Sequence, residues 1–366
     1  MNLGPVQLHH PFCQAGLAGY SDRAMRIVAR RRGCPYAVTE ALLDVILLSG
    51  GQGLKKSIDI NDEDHPVAGQ IIGSDGNTMA RSAVILAERG YDVIDLNFAC
   101  PVKKIKNKAR GGHMLQDVPR GTEILKAVRD ALPPNVPTTV SLRRGFDDSP
   151  ESVDRFYELT ETAFGIGYSA IRVHARSVDQ KYQGRANWDF LTQVKVQYPD
   201  KIIFGSGDLF TAEAVVEMLE TTGVDVAWIA RGAIGNPWIF KHAATLLAMR
   251  SRSSAMFSEK LLGNVFLPPT IAEQREALTE HFSIAMEIHG ESLAGRRMRK
   301  MGIKYSRFHP QASLVKKEFI DVHSLRDWTG VLDRWYREDG PGVWPAADAA
   351  DEVNDGEAVG CGVGES

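Results

Sequence analysis

The chain has 366 residues, 43% hydrophobic and 24% charged, with a formal net charge of −3. These proportions are those of a soluble globular protein, and no apolar run approaches the length needed to cross a bilayer. Cys13, Cys34, Cys100 and Cys361 lie far apart without a CxxC pair, which argues against a disulfide framework or metal site and for a reducing cytoplasm. The N-terminus lacks the basic, apolar, small-residue order of a signal peptide.

From residue 8 to about 250, short apolar runs alternate with longer amphipathic stretches. Strands are predicted near 9–15, 35–39, 67–72, 91–97, 137–143, 169–175, 201–206 and 224–230. Helices are predicted over 22–32, 76–89, 118–131, 151–165, 188–197 and 211–221. In the first helix Ala24, Ile27, Val28 and Arg31 show the helical step. An unbroken series of β-then-α units predicts an α/β chain folded as a TIM (β/α)8 barrel over 1–250, with a doubly wound sheet as runner-up. Barrel active sites lie at the carboxyl ends of the strands, so those ends are where chemistry is sought.

The first strand runs into Ala15-Gly16-Leu17-Ala18-Gly19-Tyr20-Ser21-Asp22. Its glycines and small residues let a flat ligand approach the backbone, although Ser21 or Asp22 could equally cap the next helix. Gln70 falls inside an apolar strand, where it is either a satisfied core amide or a ligand-facing one. The fourth strand ends in Asn97-Phe98-Ala99-Cys100-Pro101, followed by Lys103, Lys104, Lys106, Lys108 and Arg110. Taken alone, Cys100 reads as a small packed hydrophobe beside a solvated lysine loop. At a strand end above a basic loop, it also reads as a thiol poised for chemistry on a polyanion. Strand six ends His174-Ala175-Arg176, and a His-x-Arg at a barrel rim suits an anion or a ring. Strands seven and eight end Ser206-Gly207-Asp208 and Ala230-Arg231-Gly232, where barrels bind phosphate through backbone N–H groups.

Residues 251–270 break the rhythm as a linker, and only helical patterns follow, within 271–337. The second of these carries Arg296, Arg297, Arg299, Lys300, Lys304 and Arg307, a pattern that leans from a merely solvated face towards phosphate binding. Residues 338–366 hold eight acids and no lysine or arginine, which predicts a disordered acidic tail and leaves about +5 on the preceding body.

A flat-ring edge, a phosphate cup and a rim thiol together suggest a flavin mononucleotide barrel. The motifs Ala18-Gly19-Tyr20-Ser21-Asp22, Gln70, Asp95-Leu96-Asn97 with Cys100-Pro101, His174-Ala175-Arg176, Tyr182-x-Gly184-x-Ala186-x-Trp188, Gly207-Asp208 and Arg231-Gly232 with Asn236-Pro237-Trp238-Ile239-Phe240 stand in order. Over about residues 8–335 the chain resembles the bacterial tRNA-dihydrouridine synthases. The resemblance implies that FMN contacts Gly16, Leu17, Ala18, Gln70, Ser141, His174, Ser206, Gly207, Asp208, Ala230 and Arg231. It implies that Asn97 and Cys100 face uracil, with hydride passing from FMN to C6 and Cys100 protonating C5. A free thiol near pKa 8.5 is mostly protonated at pH 7, which suits an acid. Lys103, Lys104, Arg143, Arg176, Arg296, Arg297, Arg299 and Lys300 are the candidate RNA contacts. NADPH or NADH is the implied reductant and tRNA, or alternatively rRNA, the partner, with no stable protein partner, no membrane and no metal.

Several positions depart from the family pattern. Ser141 stands where the family carries a lysine against the flavin, and such a cation at about 4 Å interacts by roughly 4 kcal/mol at an effective dielectric of 20. Gly16 replaces a usual proline, Ala99 a glycine, Ser206 an asparagine and Ala230 a glycine. Two alternatives therefore stand beside an active synthase. One is an FMN-dependent reductase of a small enone or free pyrimidine, and the other is a non-catalytic RNA-binding relative.

Overall fold

The computed structural model describes residues 1–51, 58–101, 110–251 and 267–345. Lys103, Lys104, Lys106 and Lys108, most of the predicted linker, and the chain from 346 onward, with Cys361, lie outside the described residues.

Two short strands, β1 (Asn2–Leu3) and β2 (Val6–Gln7), form an antiparallel hairpin turning at Gly4. The periodicity does not predict this hairpin, because strands of two residues carry no period. Leu3, Val6 and Leu8 are buried together with Cys13, Tyr36, Val93 and Val226, so the hairpin closes the amino-terminal end of the barrel.

The barrel strands are β3 (Phe12–Gln14), β4 (Ala37–Val38), β6 (Val67–Ile72), β7 (Val93–Phe98), β8 (Thr138–Arg143), β9 (Ala170–His174), β10 (Ile202–Ser206) and β11 (Val226–Ile229). All pair in parallel, and the β4–β6 and β11–β3 pairings close the ring. A short β5 (Leu42–Leu43) adds to the end of β6. Every residue of β6 and β8 is buried, as expected for parallel strands covered on both faces. The outer helices start at side-chain caps on Asp22, Asp75, Asp117, Ser149, Asn187 and Thr211. Asp22 is thus the cap of Arg23–Arg30, while Ser21 tightens the preceding turn by accepting from the Leu17 amide at 2.7 Å.

Helices Ile271–His289, Glu291–Tyr305, Ala312–Ile320 and Leu325–Trp335 follow. They close on an aromatic cluster, Phe282–Trp328 at 4.8 Å and Phe319–Trp328 at 5.0 Å between ring centroids. The bundle is not free of the barrel. Trp238 meets Tyr305 and Phe308 edge-on, and Glu280 pairs with Arg31 and Arg32. Residues 338–345, assigned by composition to the disordered tail, instead return to this junction. Ile271 N–H donates to Gly340 O, Val343 N–H donates to Phe308 O, and Trp344 packs on His242. The acids around them hide this in the sequence, and Trp344 anchors it. Among the described residues no helix is long and apolar enough to cross a membrane.

Candidate active site

The carboxyl ends of the barrel strands surround a cavity that opens to solvent. Gly16, Leu17 and Ala18 follow β3, and Ala230 and Arg231 follow its neighbour β11, with Ser206, Gly207 and Asp208 after the next strand, β10. Gln70, Asn97, Cys100, Arg143 and His174, on or just after β6 to β9, complete the wall around the rest of the ring. Gly207 has φ +136°, and a Cβ there would lie 2.4 Å from that of Ala186, so only glycine gives this turn.

Cys100 is partly exposed and not in a disulfide. Its loop is held from both sides. Asn97 Oδ1 accepts from the Cys100 and Ala99 amides at 2.9 and 3.1 Å, while Cys100 O accepts from Gly112 N–H. Asn97 Nδ2 donates to Gln70 Oε1 at 2.8 Å, and Gln70 Nε2 donates to Asp95 Oδ2 at 2.7 Å. The alternatives for Gln70 merge: its amide is satisfied within the wall and also borders the cavity.

Arg143, at the end of β8, is almost fully buried and joins three rim segments. It donates to Ala99 O at 2.8 Å, Ser177 O at 2.9 Å and Lys181 O at 2.6 Å. Burial lowers its pKa to about 10, which still leaves it charged at neutral pH. The Arg143 and Arg231 guanidiniums both lie over the Tyr182 ring, 5.4 and 5.1 Å from its centroid. His174 is driven well below the ordinary histidine pKa by burial and by Arg143, Arg176 and Arg231, so it is neutral.

Ser141 is set back from the cavity wall. It is fully buried, and its hydroxyl donates to Asp95 Oδ2 at 2.8 Å. A side chain this short, starting one pleat below Arg143, ends beneath the wall. Arg176, a candidate RNA contact, is only 2% exposed. Its guanidinium is committed to Asp208 and to Gly184 O, so it builds the rim. Asp208 also accepts from Ala186 N–H at 2.8 Å, in a left-handed conformation (φ 57°) that aspartate tolerates. Arg296 and Arg297 are exposed on helix Glu291–Tyr305, and Arg299 and Lys300 half-buried. Lys300 donates to Gly19 O and sits over the Tyr20 ring, which ties this helix to the cavity's first loop.

The sequence reading assigned no role to Asp95, Arg172, Tyr182, Phe210 or Trp228. Asp95 and Arg172 did carry a signal, being charges within apolar strands. Trp228, on β11, and Phe210, in the loop after β10, line the cavity.

The wall fits a flavin nucleotide. His174 Nε2 and Trp228 Nε1 are buried without hydrogen-bond partners on cavity-lining side chains. A ligand with polar ring edges would satisfy them. The glycine turns after β10 and β11 supply backbone amides beside Arg231 for a phosphate.

The family model described as Dihydrouridine synthase (Dus) matches residues 13–334. The chain is 31% identical over 302 residues to tRNA-dihydrouridine synthase B of Pseudomonas aeruginosa, covering 82% of this chain and 85% of that one. It is 30% identical over 309 residues to tRNA-dihydrouridine synthase B of Shewanella oneidensis, covering 84% and 88%. Among solved structures, a 2-naphthoyl-CoA reductase complex aligns with a TM-score of 0.52 at 12% identity, covering 67% of this chain and 51% of that one. The chain thus spans about half that structure, and the likeness shows the fold alone. With the family model spanning barrel, cavity and helices, the chain belongs to the dihydrouridine synthase family.

Proposed function

We propose that this protein is a tRNA-dihydrouridine synthase that reduces selected uridines to 5,6-dihydrouridine, with FMN as cofactor and NADPH or NADH as reductant. The observation that carries this reading is the position of Cys100 and Asn97 on the wall of a cavity whose other sides are a small-residue edge and two glycine turns. Bound and reduced, FMN supplies the hydride that uracil C6 receives.

In this scheme Gly16, Leu17, Ala18, Gln70 and His174 hold the flavin ring, and Ser206, Gly207, Asp208, Ala230 and Arg231 its phosphate end. Asn97 orients the uracil and, by accepting from the Cys100 amide, sets where the thiol stands. Cys100 Sγ–H gives its proton to C5 and is reprotonated from solvent through the open mouth. Arg143 keeps the cysteine loop against the rim. A uridine must leave its stack to reach the cavity, and Lys103, Lys104, Arg296, Arg297 and Arg299 hold the RNA backbone, while Lys300 ties their helix to the cavity's first loop. Such a substrate places the work in the cytoplasm and calls for no stable protein partner.

The test is the purified protein's own spectrum. A bound flavin that NADPH bleaches and tRNA reoxidises, leaving dihydrouridine in the tRNA, is the expected result. Reoxidation by rRNA alone would change the substrate. Reoxidation by small enones or free uracil but by no RNA would make it a small-molecule reductase. A flavin-free protein that still binds tRNA would make it a non-catalytic relative.

A further inference from the structure

One cation of the barrel interior has no task in that scheme. Arg172 is fully buried on β9, one pleat below His174. Its Nη2 donates to Tyr36 Oη at 2.6 Å, and its guanidinium lies 5.0 Å from the Phe204 ring centroid and 5.6 Å from that of Trp228. Its Nε stands 3.4 Å from Asp95 Oδ1, too misaligned to count as a hydrogen bond, and both Nε and Nη1 are buried without an acceptor. A guanidinium so incompletely satisfied is a costly way to fill a barrel, since an apolar side chain would pack without the desolvation penalty. Burial opposes its charge, but Asp95 and Tyr36 outweigh that and keep it protonated.

Its place in the sheet is specific. Arg172 is the register partner of Ser141 on the neighbouring strand, the position where the family resemblance predicts a lysine. Asp95 is already held by Gln70, Thr139 and Ser141. Gln70 and Trp228 both line the cavity, so the Arg172–Asp95 pair lies one side chain beneath its wall. Strand rise puts residues 172 and 174 about 6–7 Å apart along the barrel, a range over which charges interact strongly where water is excluded.

We propose that Arg172 and Asp95 form a charge pair under the cavity that sets the reduction potential of the flavin, with Arg172 standing in for the cation that Ser141 does not provide. This rests on the flavin reading above. Reduction adds negative charge to the ring. Arg172 favours that charge and Asp95 opposes it, so removing either partner leaves the other unbalanced.

The experiment is a dye-equilibrated reductive titration of the flavin-loaded protein. Arg172→Met lowers the midpoint potential and Asp95→Asn raises it, each by a tenfold or larger change in the oxidised-to-reduced ratio, about 30 mV for a two-electron couple. Adding Ser141→Lys to Arg172→Met moves the potential back up, because a cation returns to the register partner. A purely structural pair would lower stability without opposite shifts, so shifts of one sign, or none, overturn the proposal. If Arg172→Met does not fold, Asp95→Asn and Ser141→Lys each raise the potential alone, and failure of both overturns it equally. A protein that neither carries nor takes up FMN refutes the flavin reading itself, before any potential is measured.

Discussion

Asn97 organises its own loop: one side-chain oxygen accepts two amides of the cysteine segment, and its NH2 reaches Gln70. These bonds hold the backbone of the Cys100 loop. Cys100→Ala should leave flavin content unchanged and abolish dihydrouridine formation, measured by nucleoside analysis of tRNA; normal turnover would remove the proton-donor role. Arg143 acts on the same loop through Ala99 O. Arg143→Leu should keep flavin bound but lower the rate of flavin reoxidation by tRNA about 100-fold, the usual cost of a misplacement near 1 Å. Wild-type reoxidation would show that the loop holds itself. Asn97 and Cys100 were legible because a strand end, a thiol and a basic loop adjoin in sequence. The partners of Arg143 lie more than thirty residues away in both directions, and no local pattern announces them.

At the level of elements, the first barrel helix meets the bundle through polar contacts at both ends, Asp22 with His289 at one and Arg31 and Arg32 with Glu280 at the other. Asp22 caps Arg23–Arg30 and accepts from His289 at 2.9 Å. Burial would raise its pKa, but the His289 bond, the nearby His281 and the Met25 amide outweigh it and hold Asp22 at about 2. The folded value lies below the unfolded one, so this carboxylate stabilises above about pH 4 and loses its contribution as pH falls towards 2. Asp22→Asn, which keeps a capping oxygen, should cost about 2 kcal/mol at pH 6. That difference should shrink between pH 4 and 2 in urea titrations; a gap that stays constant with pH would deny the charged contact. The bundle's helices were readable as the helical patterns that follow the linker. The return of residues 338–345 was not, because Trp344 meets His242, about a hundred residues earlier, across a junction that exists only when folded.

For the whole molecule, charge is unevenly divided. The acidic run after residue 338 masks a basic body, and helix Glu291–Tyr305 turns Arg296 and Arg297 outward while Lys300 anchors it beside the cavity's first loop. If this face follows an RNA backbone, Arg296→Glu with Arg297→Glu should weaken tRNA binding and reduce the slope of log K against log salt by about one per lost phosphate contact. An unchanged slope would assign the face to solvent. The eight-unit alternation and the strand-end motifs could be read from the chain alone, because strand period and turn chemistry are local properties; the departure at Ser141 became visible through the family resemblance. Only the tertiary structure decided that Arg176 is spent on the rim, that Ser141 answers to Asp95, and that Arg172 lies beside it on the next strand. Those facts depend on strand register and on which side chains share the barrel interior, and register is set by packing around the whole closed ring.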